Sequence, residues 1–168
     1  MRVVLIGFMA TGKSSVAPKL AAQLGLTAIE MDDLIAQKGG KSIKAIFADS
    51  GESAFRKLET EVAKDLQQRD NVVISTGGGV VMHEETMQYL TGDSLVIELS
   101  GSFETLIKRI SPAMPRPLFQ DKAQAKTLYK RRRPLYSKYA ALTINTDHMS
   151  VVEVVEAIAH QIQEATQP

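Results

Sequence analysis

The chain has 168 residues, 44% of them hydrophobic and 23% charged, with 20 Lys plus Arg against 19 Asp plus Glu and no Cys. That size suits one domain around one core, the missing Cys excludes disulfides, thiolate metal sites and thiol catalysis, and a net charge of +1 supplies no long-range field to gather a polyanion. Trp is absent and aromatics are 5%, so a stacking platform for nucleic acid is not expected. No stretch approaches the roughly 20 apolar residues that span a bilayer. Met1-Arg2-Val3 opens without the regions of a secretory signal. The expectation is a cytoplasmic protein without a nucleic-acid or membrane partner, and a monomer.

Short β-branched runs alternate with longer helical periods, which predicts an α/β fold: a mostly parallel sheet between helical layers, a three-layer α/β/α arrangement. The first strand is expected at 3–6, followed by a helix over 14–24 that closes at Gly25, where a residue without Cβ takes the left-handed conformation. Pro18 inside that helix predicts a kink or a missing hydrogen bond. A strand at 27–30 comes next, then helices at 42–48, capped by Ser42, and at 52–68. Strands follow at 72–75, 95–99 and 142–145. Pro112, Pro115 and Pro117 argue against regular structure over 111–122, which reads as a flap or a long surface connection. In the last helix Val151, Val155, Ile158 and Ile162 form one buried stripe.

Gly7-Phe8-Met9-Ala10-Thr11-Gly12-Lys13-Ser14 matches G-x-x-x-x-G-K-[ST] between a predicted strand and a predicted helix, where a phosphate loop belongs. Such a loop, continued into Ser15, wraps backbone N–H groups around a triphosphate. Lys13 reaches the β and γ phosphates, and the Ser14 hydroxyl suits Mg²⁺. The usual partner, an Asp at the end of a hydrophobic strand, is missing after 72–74, where Ser75-Thr76 leads into Gly77-Gly78-Gly79. Carboxylates have to come from Glu30-Met31-Asp32-Asp33. If the strand continues, Glu30 and Asp32 project to one side, one serving the metal's water shell and the other a substrate hydroxyl. The competing reading is that Asp32 or Asp33 caps the next helix. Taken alone, Arg56 and Glu59 read as a surface ion pair, the triple glycine as a flexible turn, Arg116 as a loop charge, and Lys130 to Arg133 as a largely solvated helix end. His83, His148 and His160 have no ligand spacing and read as surface residues.

Taken together, the phosphate loop, the carboxylates after the second strand, Gly40-Lys41-Ser42-Ile43, Phe55-Arg56-Lys57-Leu58-Glu59, Thr76-Gly77-Gly78-Gly79, Arg116-Pro117-Leu118 and Arg132-Arg133-Pro134-Leu135-Tyr136 resemble the shikimate kinases in order and spacing. The resemblance implies transfer of the γ-phosphoryl of ATP to the 3-hydroxyl of shikimate, on the way to chorismate and aromatic amino acids. It implies a P-loop fold like that of nucleoside-monophosphate kinases with a five-stranded parallel sheet, a substrate region at about 31–62 and a lid at about 111–123, all in one domain. By the same resemblance ATP meets Gly7, Ala10, Thr11, Gly12, Lys13, Ser14, Ser15, Arg109 and Arg116. Arg109 packs on adenine and the lid arginine Arg116 lies near the transferring phosphate. Shikimate meets Asp32, Arg56, Glu59, Gly77, Gly78, Gly79 and Arg132, with Arg56 and Arg132 on its carboxylate and Asp32 on its hydroxyls. Catalysis would rest on Lys13, Asp32 and Arg116, and Mg²⁺ on Ser14 and Glu30. Glu30 stands where the family usually has Asp. The rival readings are a kinase for another small hydroxy acid such as gluconate, and a non-catalytic ATP-binding regulator.

Overall fold

Runs of Val, Leu and Ile buried on both faces make strands suited to the middle of an all-parallel sheet. In the computed structural model, which describes residues 1–110 and 121–166, these are β1 (Arg2–Ile6), β3 (Val72–Ser75) and β4 (Leu95–Ser100), with β2 (Thr27–Glu30) and β5 (Leu142–Asn145) more exposed at the edges. The order is β2-β3-β1-β4-β5, every pair parallel. Helices α1 (Lys13–Leu24), α2 (Met31–Gly39), α3 (Ile43–Leu66), α4 (Glu84–Thr91), α5 (Phe103–Arg109), α6 (Lys122–Tyr139) and α7 (Val151–Thr166) fill the connections. Val4, Ile6, Ile74 and Val96 pack with Phe55, Val62, Leu66 and Met87 on one side of the sheet. On the other, Val3, Leu5, Val73 and Ile97 pack with Val16 and Leu20 of α1 and Val155, Ile158 and Ile162 of α7. No helix among the described residues is long and apolar enough to cross a membrane.

The five strands lie where the sequence predicts them, to within one residue at either end. Helix α1 starts behind a left-handed Gly12 (φ 99°) and stops at a left-handed Gly25 (φ 68°), as expected. It runs unbroken through exposed Pro18, so the expected cost is a carbonyl, that of Ser14, without its helical donor, and not a break. The two helices anticipated at 42–48 and 52–68 are halves of α3, separated at Gly51 (φ 79°, ψ 179°), and Ser42 caps the first by accepting from the Ala45 N–H at 3.1 Å.

Two expectations need correcting. The strand β2 ends at Glu30 (φ −93°, ψ 113°) and Met31 already begins α2, so Asp32 sits in a helical first turn and the alternation argued for an extended chain does not apply to it. Lys122 is not part of an irregular segment but the first residue of α6, whose cap Asp121 accepts from the N–H groups of Ala123 and Gln124. The rest of the anticipated flap, including Pro112, Pro115, Arg116 and Pro117, lies outside the described residues.

β1 delivers the chain to the phosphate loop through Gly7, whose φ of 148° is open to glycine, and a Cβ there would run into the carbonyl oxygen of Leu99 on β4. Gly7→Ala is therefore expected to cost about 3 kcal/mol through backbone strain and a clash with a fixed carbonyl. For a chain of this size that lowers the thermal midpoint by roughly 6–12 °C, to be read by calorimetry.

Candidate active site

The loop from Gly7 to Gly12 curls over the carboxyl end of β1 with left-handed residues at Ala10 (φ 62°) and Gly12 (φ 99°). A left-handed alanine is strained backbone, the kind retained where a loop must wrap a ligand. Lys13 is 7% exposed and its ammonium lies across the loop, donating to the carbonyls of Gly7 at 2.7 Å and Phe8 at 2.9 Å. Thr11 is turned inward, its hydroxyl donating to the Phe8 carbonyl at 2.9 Å. Ser14 and Ser15 are exposed on the first turn of α1. The result is a cationic cradle at a helix start, suited to a polyphosphate.

Beside it lie oxygen donors only. Register pairs Glu30 with Ser75 and Ser75 with Leu5, and Leu5 packs against α1, so Glu30 and Ser75 stand on the sheet face that carries Ser14 at the start of α1. The Ser75 hydroxyl is buried and has no hydrogen-bond partner. Among the described residues no three His, Cys, Asp or Glu side chains gather into a metal cage. A hard cation bound by one or two protein oxygens, waters and phosphates fits this donor set, which is how Mg²⁺ is usually held. Ser75 escaped the sequence reading because a serine ending a strand has no motif of its own.

The triple glycine forms the floor of an adjoining pocket and runs into a 3₁₀ turn over Val80–Met82. Two guanidinium groups converge on Gly79: a Cβ there would lie 2.5 Å from Nη2 of Arg56 and 2.9 Å from Nη2 of Arg132. Arg56 comes from α3 and Arg132 from α6, where Arg132 is 6% exposed while Lys130, Arg131 and Arg133 are solvated. The pair Arg56–Glu59 is not a surface ion pair. Glu59 is fully buried and accepts from Arg56 Nη1 at 2.8 Å, and exposed Glu52 lies 3.5 Å from Arg56 Nη2. Burial pushes the Glu59 carboxyl above its ordinary pKa; Arg56 pulls it back, Asp32 raises it further and Arg132 lowers it. Burial also lowers the pKa of Arg132, yet a guanidinium stays charged. Nε of Arg56, Nε of Arg132 and Oε2 of Glu59 are buried without hydrogen-bond partners. Each such orphan costs about 1–3 kcal/mol, a cost that a bound anion with hydroxyl groups would offset.

Asp32 faces the same floor: a Cβ on Gly77 would lie 3.4 Å from its Oδ1 and 3.6 Å from Oε2 of Glu59, while Asp33 is exposed. Gly78 backs on the phosphate loop, its absent Cβ 3.4 Å from the N of Met9 and 3.5 Å from the O of Gly7. One glycine strip thus has the phosphate cradle on one side and the paired arginines on the other. Arg109 bridges two loops at the nucleotide end, donating to the Thr146 hydroxyl (2.8 Å), the Thr146 carbonyl (2.6 Å) and the Ala10 carbonyl (3.4 Å). Sequence reasoning gave Thr146 no role, and only its burial in the fold reveals one. His83 is half-buried and not on the surface, its imidazole pushed below the usual pKa by burial and by Arg56, with Glu52 opposing and Arg132 adding to the fall. Arg116 lies outside the described residues.

A model of the shikimate kinase family matches residues 9–163. The shikimate kinase of Aquifex aeolicus is 40% identical over 139 residues, covering 82% of this chain and 83% of that one. The enzyme of Thermodesulfovibrio yellowstonii is 37% identical over 164 residues, covering 96% and 94%. The structure of Acinetobacter baumannii shikimate kinase in complex with shikimate superposes with a TM-score of 0.94 at 30% identity, covering 99% of this chain and 95% of that one. The five-stranded parallel P-loop fold expected from the sequence is therefore the fold of these enzymes. With a match running through nearly all of its residues, and with relatives this similar over most of their own length, the chain belongs to the shikimate kinase family.

Proposed function

We propose that this protein transfers the γ-phosphoryl group of ATP to the 3-hydroxyl of shikimate, releasing ADP and shikimate 3-phosphate. The observation that carries the reading is the meeting of the buried Arg132 guanidinium and the half-buried Arg56 guanidinium over Gly79, next to a phosphate cradle. A planar carboxylate answers two planar forks, and a hydroxylated ring answers the carboxylate of Asp32 on the same floor. The structure of the A. baumannii relative is a complex with shikimate.

In this reading Lys13 leaves the carbonyls of its own loop for the β and γ phosphates, and the backbone from Gly7 through Ser15 surrounds them. Ser14 and Glu30 would hold Mg²⁺, and the buried Ser75 hydroxyl, on the same sheet face, is a further oxygen available to its waters. When bound, the metal neutralises phosphate charge and orients the γ-phosphoryl group. Arg56, steadied by Glu59, and Arg132 grip the ring carboxylate, while Gly77, Gly78 and Gly79 let the ring approach backbone. Asp32 orients the attacking hydroxyl and takes its proton late, since phosphoryl transfer passes through a loose transition state in which positioning and charge supply most of the rate. Arg109 borders the adenine. The lid arginine, Arg116, meets the transferring group and helps to exclude water. ATP as donor goes with a cytoplasmic protein, and a site built from one chain goes with a monomer.

Release of ADP, followed with a panel of hydroxylated acids, tests the reading. Turnover is expected with shikimate. Turnover with gluconate alone would make the protein a kinase of another acid, and none with any acid would leave a nucleotide-binding regulator. Gly79→Ala is expected to fold, because flexible guanidinium ends can yield to the new methyl group. Displacing both forks should raise the KM for shikimate at least roughly tenfold, with the KM for ATP nearly unchanged, in steady-state kinetics. Arg116→Ala should lower kcat by about 10³, as loss of a cation on the transferring phosphoryl group does elsewhere, in the same assay.

A further inference from the structure

Tyr136 lies one turn beyond Arg132 on α6 and is 2% exposed. Its hydroxyl donates to the carbonyl of Gly78 at 2.5 Å. Gly78 is the glycine that backs on Met9 and Gly7 of the phosphate loop, and the next residue, Gly79, is the one over which Arg56 and Arg132 meet. The Gly77 and Gly79 carbonyls accept from the N–H groups of Val80 and Met82, so the phenol supplies the side-chain tie at the one carbonyl between them. Core packing and the hydrogen bond together hold it: Tyr136 belongs to the buried core with Phe8, and on one side it borders a pocket of about 150 Å³ lined also by Thr11, Glu98 and Tyr129.

We infer that Tyr136 is a positioning residue for the phosphoryl transfer: by pinning the Gly78 carbonyl beside Arg132, its hydroxyl sets the gap between the gripped ring acid and the γ-phosphate. The inference rests on the shikimate kinase reading and deepens it. Burial holds the phenol well above its ordinary pKa, against the pull of the neighbouring guanidinium, so it remains an O–H donor throughout the neutral range. Arg132 also lies 6.0 Å from the centre of the Phe8 ring in the phosphate loop, so the residue that Tyr136 accompanies on α6 stands at the border between the two halves of the site.

Tyr136→Phe removes one oxygen and keeps the ring. In the ligand-free protein, hydrogen exchange at the amides of residues 77–83 is expected to speed up severalfold, with a melting temperature close to that of the parent. With substrates, kcat should fall roughly tenfold, as sub-ångström misplacement of reacting groups does, and the KM for shikimate should rise while that for ATP stays within about twofold. Unchanged exchange, or kcat and shikimate KM equal to the parent's, overturns the assignment. So does a parallel rise in both KM values with a lowered melting temperature, which marks a purely structural prop. A parent protein that leaves shikimate unphosphorylated sinks the function reading and the positioning role with it. An active parent beside an unaltered variant sinks the role of Tyr136 alone.

Discussion

Two like charges held together, one buried and one half-buried, set the terms for the whole pocket. Arg56 and Arg132 arrive from different helices, and their forks meet where a glycine lacks a side chain. Repulsion between such groups and the loss of their hydration oppose this, on the order of several kcal/mol. Glu59, buried under the pair, offsets part of it through its bond to Arg56. The remainder is left in the buried Nε atoms of both arginines, which have no hydrogen-bond partner. Folding therefore stores an unmet demand for an anion, and a ligand that meets it gains affinity without the protein having to reorganise.

That arrangement depends on the sheet beneath. The end of β3 is tied to β1 through Thr76, whose N–H and hydroxyl both donate to the Leu5 carbonyl, at 3.2 Å and 2.8 Å. The tie sits immediately before the glycines and two residues before the phosphate loop begins, so the floor of the acid pocket and the root of the nucleotide cradle move as one piece. Central strands with buried faces are the stiffest part of an α/β fold, and this site takes its fixed distances from them.

Much of this was legible in the residue order. The strands announced themselves as β-branched runs between turn signals, and the phosphate loop by its fixed spacing. Helix α6 did not, because only Ala125, Arg132 and Tyr136 of its eighteen residues are buried and Pro134 falls inside it. With a buried arginine in the place of an apolar residue, helical periodicity vanishes from the pattern. Glu59 was misleading in the same way. Among Glu52, Lys57 and Glu61 it looks like one more solvent-facing charge, and only the packing of α3 against α2 and α4 encloses it. Asp32 comes to lie beside Gly77 by a route other than the one expected, since chain direction changes at Met31 and no alternation rule survives a strand-to-helix junction.

The Gly51 break divides α3 into parts with different allegiances. Arg56 and Glu59 ride on the later part, whose Val62, Ala63 and Leu66 are fastened to the core, while Phe47 on the earlier part is 39% exposed and reaches across to stack on Phe55 with centroids 4.7 Å apart. A single residue in a region of backbone space reserved for glycine thus turns the chain between two helical parts that each keep a hold on the core, the earlier through Ile46 and the later through Val62, Ala63 and Leu66. Phe55 in turn carries the Arg56 guanidinium 5.0 Å from its ring centre, so a substitution at Phe47 passes through one aromatic contact to the grip itself, and a descendant of this protein could retune its hold on an acid from a residue that never touches it.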